Sequence, residues 1–389
     1  AFSTALGFFV RVGARDEPED ISGVSHFLEH MAFKGSGSRT ADDINREFDE
    51  IGAVYNAMTS YDSTIYYAAV LPEYMEKAFE LLACLIRPAI RPDDFELEKQ
   101  VILEEIRMYL DQPPYGIDET CRRRFFKTHP LGQSVLGTVE SISALTPEQM
   151  RMYYQQRYTA RNIIVGTTGC VDFDKLVALA ERYCGDLNSE ENERIQLRPD
   201  PAFGTFRHHK PSATQQYVIQ IAEAPPATSP ERFAGRFLTA IVGSSTASRM
   251  YWEFLDPGRA DSVSLTYESY EDAGIFVTFL SCAPEMLEEN LERLRKLYNQ
   301  LETEGVSAEE LSRVKNKMAA SLVLAAERPS SRLFAIGSER LTTGEYRSVE
   351  EELKIIDSIT LDDVNRVAEK YPLSCNATEI IGPMPQGSS

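Results

Sequence analysis

Histidine is scarce in this chain, with five among 389 residues. Long apolar runs are missing: no stretch approaches the roughly 18 uninterrupted apolar residues that mark a membrane-spanning helix, so none is expected and no membrane partner is implied. There is no C-x-x-C pair, and the six cysteines (84, 121, 170, 184, 282 and 375) are scattered. They read as buried thiols of a reducing, cytoplasmic compartment rather than a disulfide frame. The net charge is −20, without a Lys/Arg-rich arm, aromatic-basic interleaving or a finger motif, so nucleic-acid binding is not expected. A G-x-S-x-G elbow is also missing, which disfavours serine-nucleophile chemistry.

Against this scarcity, His26-Phe27-Leu28-Glu29-His30 stands out, because two of the five histidines fall in one pentapeptide. On a helix, positions i and i+4 share a face about one turn apart, so both rings can reach one cation. Glu29 lies close enough to hold an attacking water without being a ligand. The pattern is an inverted zincin, H-x-x-E-H, and reads as metal-assisted hydrolysis. Ser22 is the expected N-cap, with Phe27, Leu28, Met31 and Phe33 as apolar flanks.

Catalytic zinc usually takes three protein ligands. His129, His208 and His209 fall in no second motif, so a carboxylate is the natural completion, and the best helix for it spans Asp94 to Tyr109. Its rivals are Glu104 and Glu105. The i±3 and i±4 neighbours of Glu105 are Val101, Ile102, Met108 and Tyr109, whereas Glu104 has Gln100 and Arg107 among its own. Glu105 is therefore expected to point into the core, where a carboxylate needs a cation. Glu98, two turns earlier on the same face, suits an orienting role. Glu96 and Lys99 read as an exposed salt-bridged pair.

The H-x-x-E-H helix, followed 75 residues later by Glu105 within Val101-Ile102-Leu103-Glu104-Glu105-Ile106, resembles the pitrilysin (insulinase) family of zinc peptidases. The resemblance covers nearly the whole chain and includes Gly52 to Ser60 and Arg157 to Asn162. It implies one Zn2+ per chain held by His26, His30 and Glu105, with Glu29 as general base and Glu98 in support. It further implies an edge strand at Gly52 to Ser60 that binds peptide, for which Asn56 and Ala57 are the expected backbone contacts. Active members carry a closely spaced Arg and Tyr in the second domain; here an ungapped alignment puts Leu255 and Asp261 there, neither of which is an Arg or a Tyr. A neighbouring side chain or a partner subunit would have to supply their function, so a homodimer or a heterodimer with a related chain is expected. The resemblance also implies a strand before Ala1, so the numbered chain is expected to be trimmed.

The second half rhymes with the first. Leu145-Thr146-Pro147-Glu148-Gln149-Met150 recurs 214 positions on as Ile359-Thr360-Leu361-Asp362-Asp363-Val364. Ser307 to Met318 echoes the Glu105 helix. Gln216 to Ile221 followed by Phe233 to Leu238 echoes the opening strand and His26 helix, but without metal residues. The expected fold is α+β, two homologous sheet-plus-helices domains, with 1–186 catalytic, 187–210 a polar linker and 211–389 the non-metal-binding copy. The expected function is a zinc endopeptidase acting on peptides or unfolded segments held in a cleft between the domains. The alternative is a catalytically silent scaffold or peptide-binding subunit of a two-chain peptidase.

Overall fold

The computed structural model describes residues 2–37, 39–111, 116–190, 194–243 and 246–383. The chain opens with β1 (Thr4–Val10), α1 (Val24–Ala32), two short strands β2 (Gly35–Ser36) and β3 (Arg39–Thr40), and α2 (Ala41–Glu50). It continues through β4 (Val54–Thr59), β5 (Thr64–Val70), α3 (Met75–Leu85), α4 (Pro92–Asp111) and α5 (Ile117–Phe126). Next come α6 (Val139–Ala144), α7 (Pro147–Arg157), β6 (Ile163–Gly169), α8 (Phe173–Cys184), β7 (Gly204–His209), β8 (Gln216–Glu223) and α9 (Arg232–Val242). The last elements are β9 (Ser262–Ser269), β10 (Gly274–Cys282), α10 (Leu287–Glu304), α11 (Ala308–Ala326), α12 (Pro329–Thr343), α13 (Val349–Ser358), α14 (Leu361–Lys370) and β11 (Asn376–Gly382). No described helix is long and apolar enough to cross a membrane.

These elements form two compact units of mixed helix and sheet, in keeping with the α+β class. The first sheet has strand order β4-β5-β1-β6 and the second β7-β11-β8-β10-β9. Order and connection repeat: β4 matches β9, β5 matches β10, β1 matches β8 and β6 matches β11. The paired helix starts also match, since Thr146 accepts from the Gln149 amide and Thr360 from the Asp363 amide, each at 3.2 Å. Side-chain caps of this kind satisfy amide groups left open in a helix's first turn.

The units are not consecutive halves joined at a single linker. Unit 1 comprises 1–108, 133–195 and 323–347; unit 2 comprises 109–132, 196–322 and 348–389. The helix α12 therefore belongs with the first sheet, where Leu333 and Leu341 pack with Ala5, Phe9 and Ile65. Its fit is close: a Cβ added at Gly337 would lie 2.1 Å from the Phe9 ring, so only glycine lets the helix approach. Reciprocally, α5 belongs with the second sheet, where the Cys121 thiol lies 3.4 Å from the Ala377 carbonyl on β11. In unit 1, the stacked Phe27 and Phe95 rings, 4.5 Å apart, join α1 to α4. That contact fixes the two helices that carry the candidate site.

Candidate metal centre

The N-terminus of α1 is set by a distant acid rather than by Ser22. The N-cap is Gly23, in the left-handed region at φ 91°. The buried Glu17 carboxylate accepts from the Gly23 amide at 2.6 Å and the Ser25 amide at 2.7 Å. Ser22 instead uses its carbonyl to accept from Ser141 Oγ at 2.7 Å. Burial pushes the Glu17 carboxyl up to about 8, against the two amide bonds that favour its anion. A Cβ on Gly23 would meet the Leu136 carbonyl at 2.6 Å, so the tight entry excludes other residues.

From this fixed start, His26 and His30 project one turn apart. Their Nε2 atoms are 3.1 Å apart, and Glu105 Oε2 lies 3.6 Å from the first and 3.8 Å from the second. For bond lengths of about 2.0–2.2 Å, tetrahedral zinc separates its ligands by roughly 3.3 Å, close to all three spacings. His26, His30 and Glu105 are the group of potential metal ligands found among the described residues, with ligand atoms within 4.8 Å of one another. Two ring nitrogens face each other here beside a carboxylate. Such a set suits an electrophile at its centre better than mutual hydrogen bonding.

The protonation state of His26 and the tautomer of His30 agree with a donor set. Burial, then the neighbouring His30, drives the His26 pKa down to about 3, leaving the ring neutral. His26 Nδ1 is buried without a hydrogen-bond partner among the described residues. His30 Nδ1 lies 2.8 Å from Glu98 Oε1, which assigns the proton to Nδ1 and leaves the Nε2 lone pair toward the cluster. Burial works against a charged His30 and is the largest single effect, but the Glu98 hydrogen bond together with the charges of Glu98, Glu29 and Glu105 outweighs it and the net shift is upward. Glu98 is buried, and its second oxygen meets Lys34 Nζ at 2.5 Å. Burial opposes its ionisation too, yet the His30 and Lys34 contacts keep it below its ordinary value.

Glu29 is placed beside the cluster and outside it. Its Oε2 accepts from Thr59 Oγ1 at 2.6 Å. Burial raises its pKa; the Thr59 hydrogen bond and His30 act in the opposite sense, and Glu105 adds to the rise. A half-buried carboxylate shifted toward neutrality suits a general base.

Glu105 reaches the cluster, but not by pointing into the core. Val101 and Met108 are exposed, Ile102 is buried, and the Glu105 side chain keeps 27% of its surface. It lies on the border of the helix face, turned to the histidines. Glu104 is 71% exposed and pairs with Arg107. The exposed pair expected of Glu96 and Lys99 also differs: Lys99 is buried and donates to the Leu145 carbonyl at 2.8 Å, with Glu96 at 3.5 Å.

The strand expected to take peptide is the outer strand of its sheet. Its residues pair inward only, Asn56 with Tyr67 and Ala57 with Tyr66 of β5, and Val54 and Met58 are exposed. Asn56 is exposed and Ala57 buried, and Asn56 Oδ1 accepts from the Ala57 amide at 2.9 Å. A strand added at this edge would compete with Asn56 for that amide. Three contributors escaped the sequence reading: Glu17, Lys34 and Thr59. Lys34 follows His30 by four residues, the one local signal among them.

In the second unit, Leu255 ends a π-helical turn and Asp261 accepts from Gln215 at 3.0 Å. The nearby candidates are engaged locally: Arg259 donates to the Glu253 carbonyl, Tyr267 to the Pro225 carbonyl and Tyr270 to Glu268.

Comparison with known proteins bears on this geometry. Residues 2–139 match the family model described as Insulinase (Peptidase family M16), and residues 144–318 match the one described as Peptidase M16 inactive domain. A protein named an uncharacterized zinc protease from Rickettsia felis is 34% identical over 384 residues, covering 98% of this chain and 92% of the relative. A namesake from Mycobacterium leprae is 31% identical, covering 98% and 87%. Among solved structures, a protease from Helicobacter pylori superposes with a TM-score of 0.91 at 20% identity, covering 98% of this chain and 95% of that one.

Proposed function

The chain belongs to the insulinase family, peptidase family M16, and from that premise we propose a zinc-dependent endopeptidase whose metal is held by His26, His30 and Glu105. The observation that carries this reading is the convergence of those three ligand groups beside a carboxylate that is not one of them. One Zn2+ per chain would supply Lewis acidity, polarising a peptide carbonyl and lowering the pKa of water to about 7. Glu29 takes the proton of the attacking water and delivers it to the leaving amine. Glu98, steadied by Lys34, holds the His30 ring and its tautomer. A peptide adds as a strand along β4 at Asn56 and Ala57, beside the Thr59 hydroxyl that orients Glu29.

A tetrahedral intermediate also needs donors for its oxyanion. The local engagement of Arg259, Tyr267 and Tyr270 supports a dimer in which a second subunit, identical or related, supplies them. The silent-subunit alternative fits poorly with a complete ligand set and a placed base. Incubating the purified chain with unfolded casein tests the reading. Internal cleavage is expected, stopped by a chelator and restored by zinc, with the native mass showing the dimer. A zinc-loaded dimer that binds casein and leaves it intact would favour the silent subunit.

The Thr59 contact yields a pH prediction. Its hydroxyl favours the ionised form of Glu29, so Thr59→Val raises the Glu29 pKa further above the ordinary carboxylate value. A base must be ionised to act, so activity is lost as pH falls through that pKa. The acid limb of kcat/KM is therefore expected to move to higher pH in the variant, with the alkaline limb in place. An unmoved acid limb would remove Thr59 from the machinery.

A further inference from the structure

The internal repeat places a counterpart of the metal centre in unit 2, and its chemistry is inverted. His26-x-x-Glu29-His30 on α1 has the same spacing as Phe233-x-x-Arg236-Phe237 on α9. Glu105 lies 13 residues into α4, and Ser321 lies 13 residues into α11, counting 105 − 92 and 321 − 308 from the helix starts. Thr59 closes β4 opposite Thr64, and Ser269 closes β9 opposite Gly274. Each metal-ligand histidine is thus replaced by an apolar ring, the base by a guanidinium and the third ligand by a hydroxyl.

These replacements line open space. Two cavities of about 300 and 430 Å3 share Arg236, Met318 and Ser321. Lys317, Tyr267 and Ser269 border the larger one; Phe233, Phe237, Leu322 and Ile356 border the smaller. Glu352 is the one carboxylate among the described lining residues, against the two cations Arg236 and Lys317. Arg236 lies 5.7 Å from the Phe233 ring centroid, which brings its guanidinium to the apolar wall. In a chain of net charge −20, cations gathered around an apolar recess are a local exception. The sizes fall near the lower range of small-ligand pockets, about 300–1,000 Å3.

We propose that this counterpart is a binding site for a carboxylate borne on an apolar group, with Arg236 and Lys317 holding the carboxylate and Phe237, Met318 and Ile356 the apolar part. Guanidinium and hydroxyl groups match a carboxylate's planar acceptors. A phosphate or other compact dianion would leave the apolar wall unused. The apolar recess holds one side chain or a short alkyl chain, so the carboxyl end of an apolar peptide and a medium-chain fatty acid share the required chemistry. The site does not depend on hydrolysis at the first unit.

Calorimetric titration of the full chain decides the matter. The probes are N-acetyl-Leu-Leu against its C-terminal amide, and octanoate against octan-1-ol. In at least one pair the acid is expected to bind about tenfold or more tightly than its neutral analogue, and the pair that does so identifies the source. Arg236→Met with Lys317→Met should abolish the preference and Arg236→Lys should keep it; both side chains are exposed, so folding is not at stake. Glu105→Gln should also keep it, which separates this site from the metal centre. Equal binding of acid and neutral analogue in both pairs, no saturable binding, or a preference that survives the double substitution would overturn the proposal.

Discussion

Glu29→Gln is expected to keep the fold and the metal while losing at least about 100-fold in peptide hydrolysis, the scale on which general acid–base catalysis operates. The amide has the carboxylate's shape and can still accept from Thr59, whose hydroxyl sits 2.6 Å from Glu29 Oε2. It cannot accept the proton of the attacking water or pass it to the leaving amine. Glu29 is not one of the three clustered ligand groups, so metal content should stay near that of the parent. Single-turnover hydrolysis at matched metal loading measures the effect. Activity within a few-fold of the parent would remove Glu29 from the proton-transfer role.

Glu105→Gln and Glu104→Gln form the second test, and their contrast is large because the residues are adjacent in sequence. Losing an orienting partner of a ligand typically costs 10–100-fold in metal affinity, so losing Glu105 itself should exceed about 100-fold. Three anchoring groups become two, and the neutral amide is a poorer donor than the carboxylate 3.6 Å from His26 Nε2. Glu104 is turned to solvent and paired with Arg107, an exposed contact of the kind contributing about 0–1 kcal/mol. Its substitution should leave metal binding unchanged. Competition titration with a chromophoric chelator reads both affinities, and equal weakening in the two variants would refute the assignment.

The same pair shows how far sequence could see. The two histidines and Glu29 were legible because the relation among them is local: helical spacing alone puts them on one face. Glu105 was preferred over Glu104 on the expectation of a core-facing helix stripe. The structure does bring Glu105 to the histidines, but on the rim of that stripe, with Val101 and Met108 exposed. Tertiary position, not the apolarity of its neighbours, gives Glu105 its place. The capping acid Glu17 was not legible, since nothing local announces that it will be buried against the Gly23 and Ser25 amides. Lys99 was misjudged for a related reason: its ammonium leaves the helix to meet carbonyls more than forty residues away.

The repeat was legible as matched helix starts and strands, while the segment exchange was not. Periodicity assigns a residue to a helix and a face, but α5 and α12 each look like an ordinary amphipathic helix. Which sheet each one covers depends on steric detail such as the missing Cβ at Gly337, which no pattern of hydropathy encodes.

That exchange has a bearing on biosynthesis. The layer that seals Phe9 and Ile65 is made from residues 329–343, so an emerging polypeptide cannot close its first sheet until α12 has followed, long after the last strand of that sheet at Ile163–Gly169. A ribosome-bound intermediate would carry its histidine pair on an open, unsealed platform. Under the proposed function, peptidase activity would wait on α12 rather than on the earlier segments that carry the histidines.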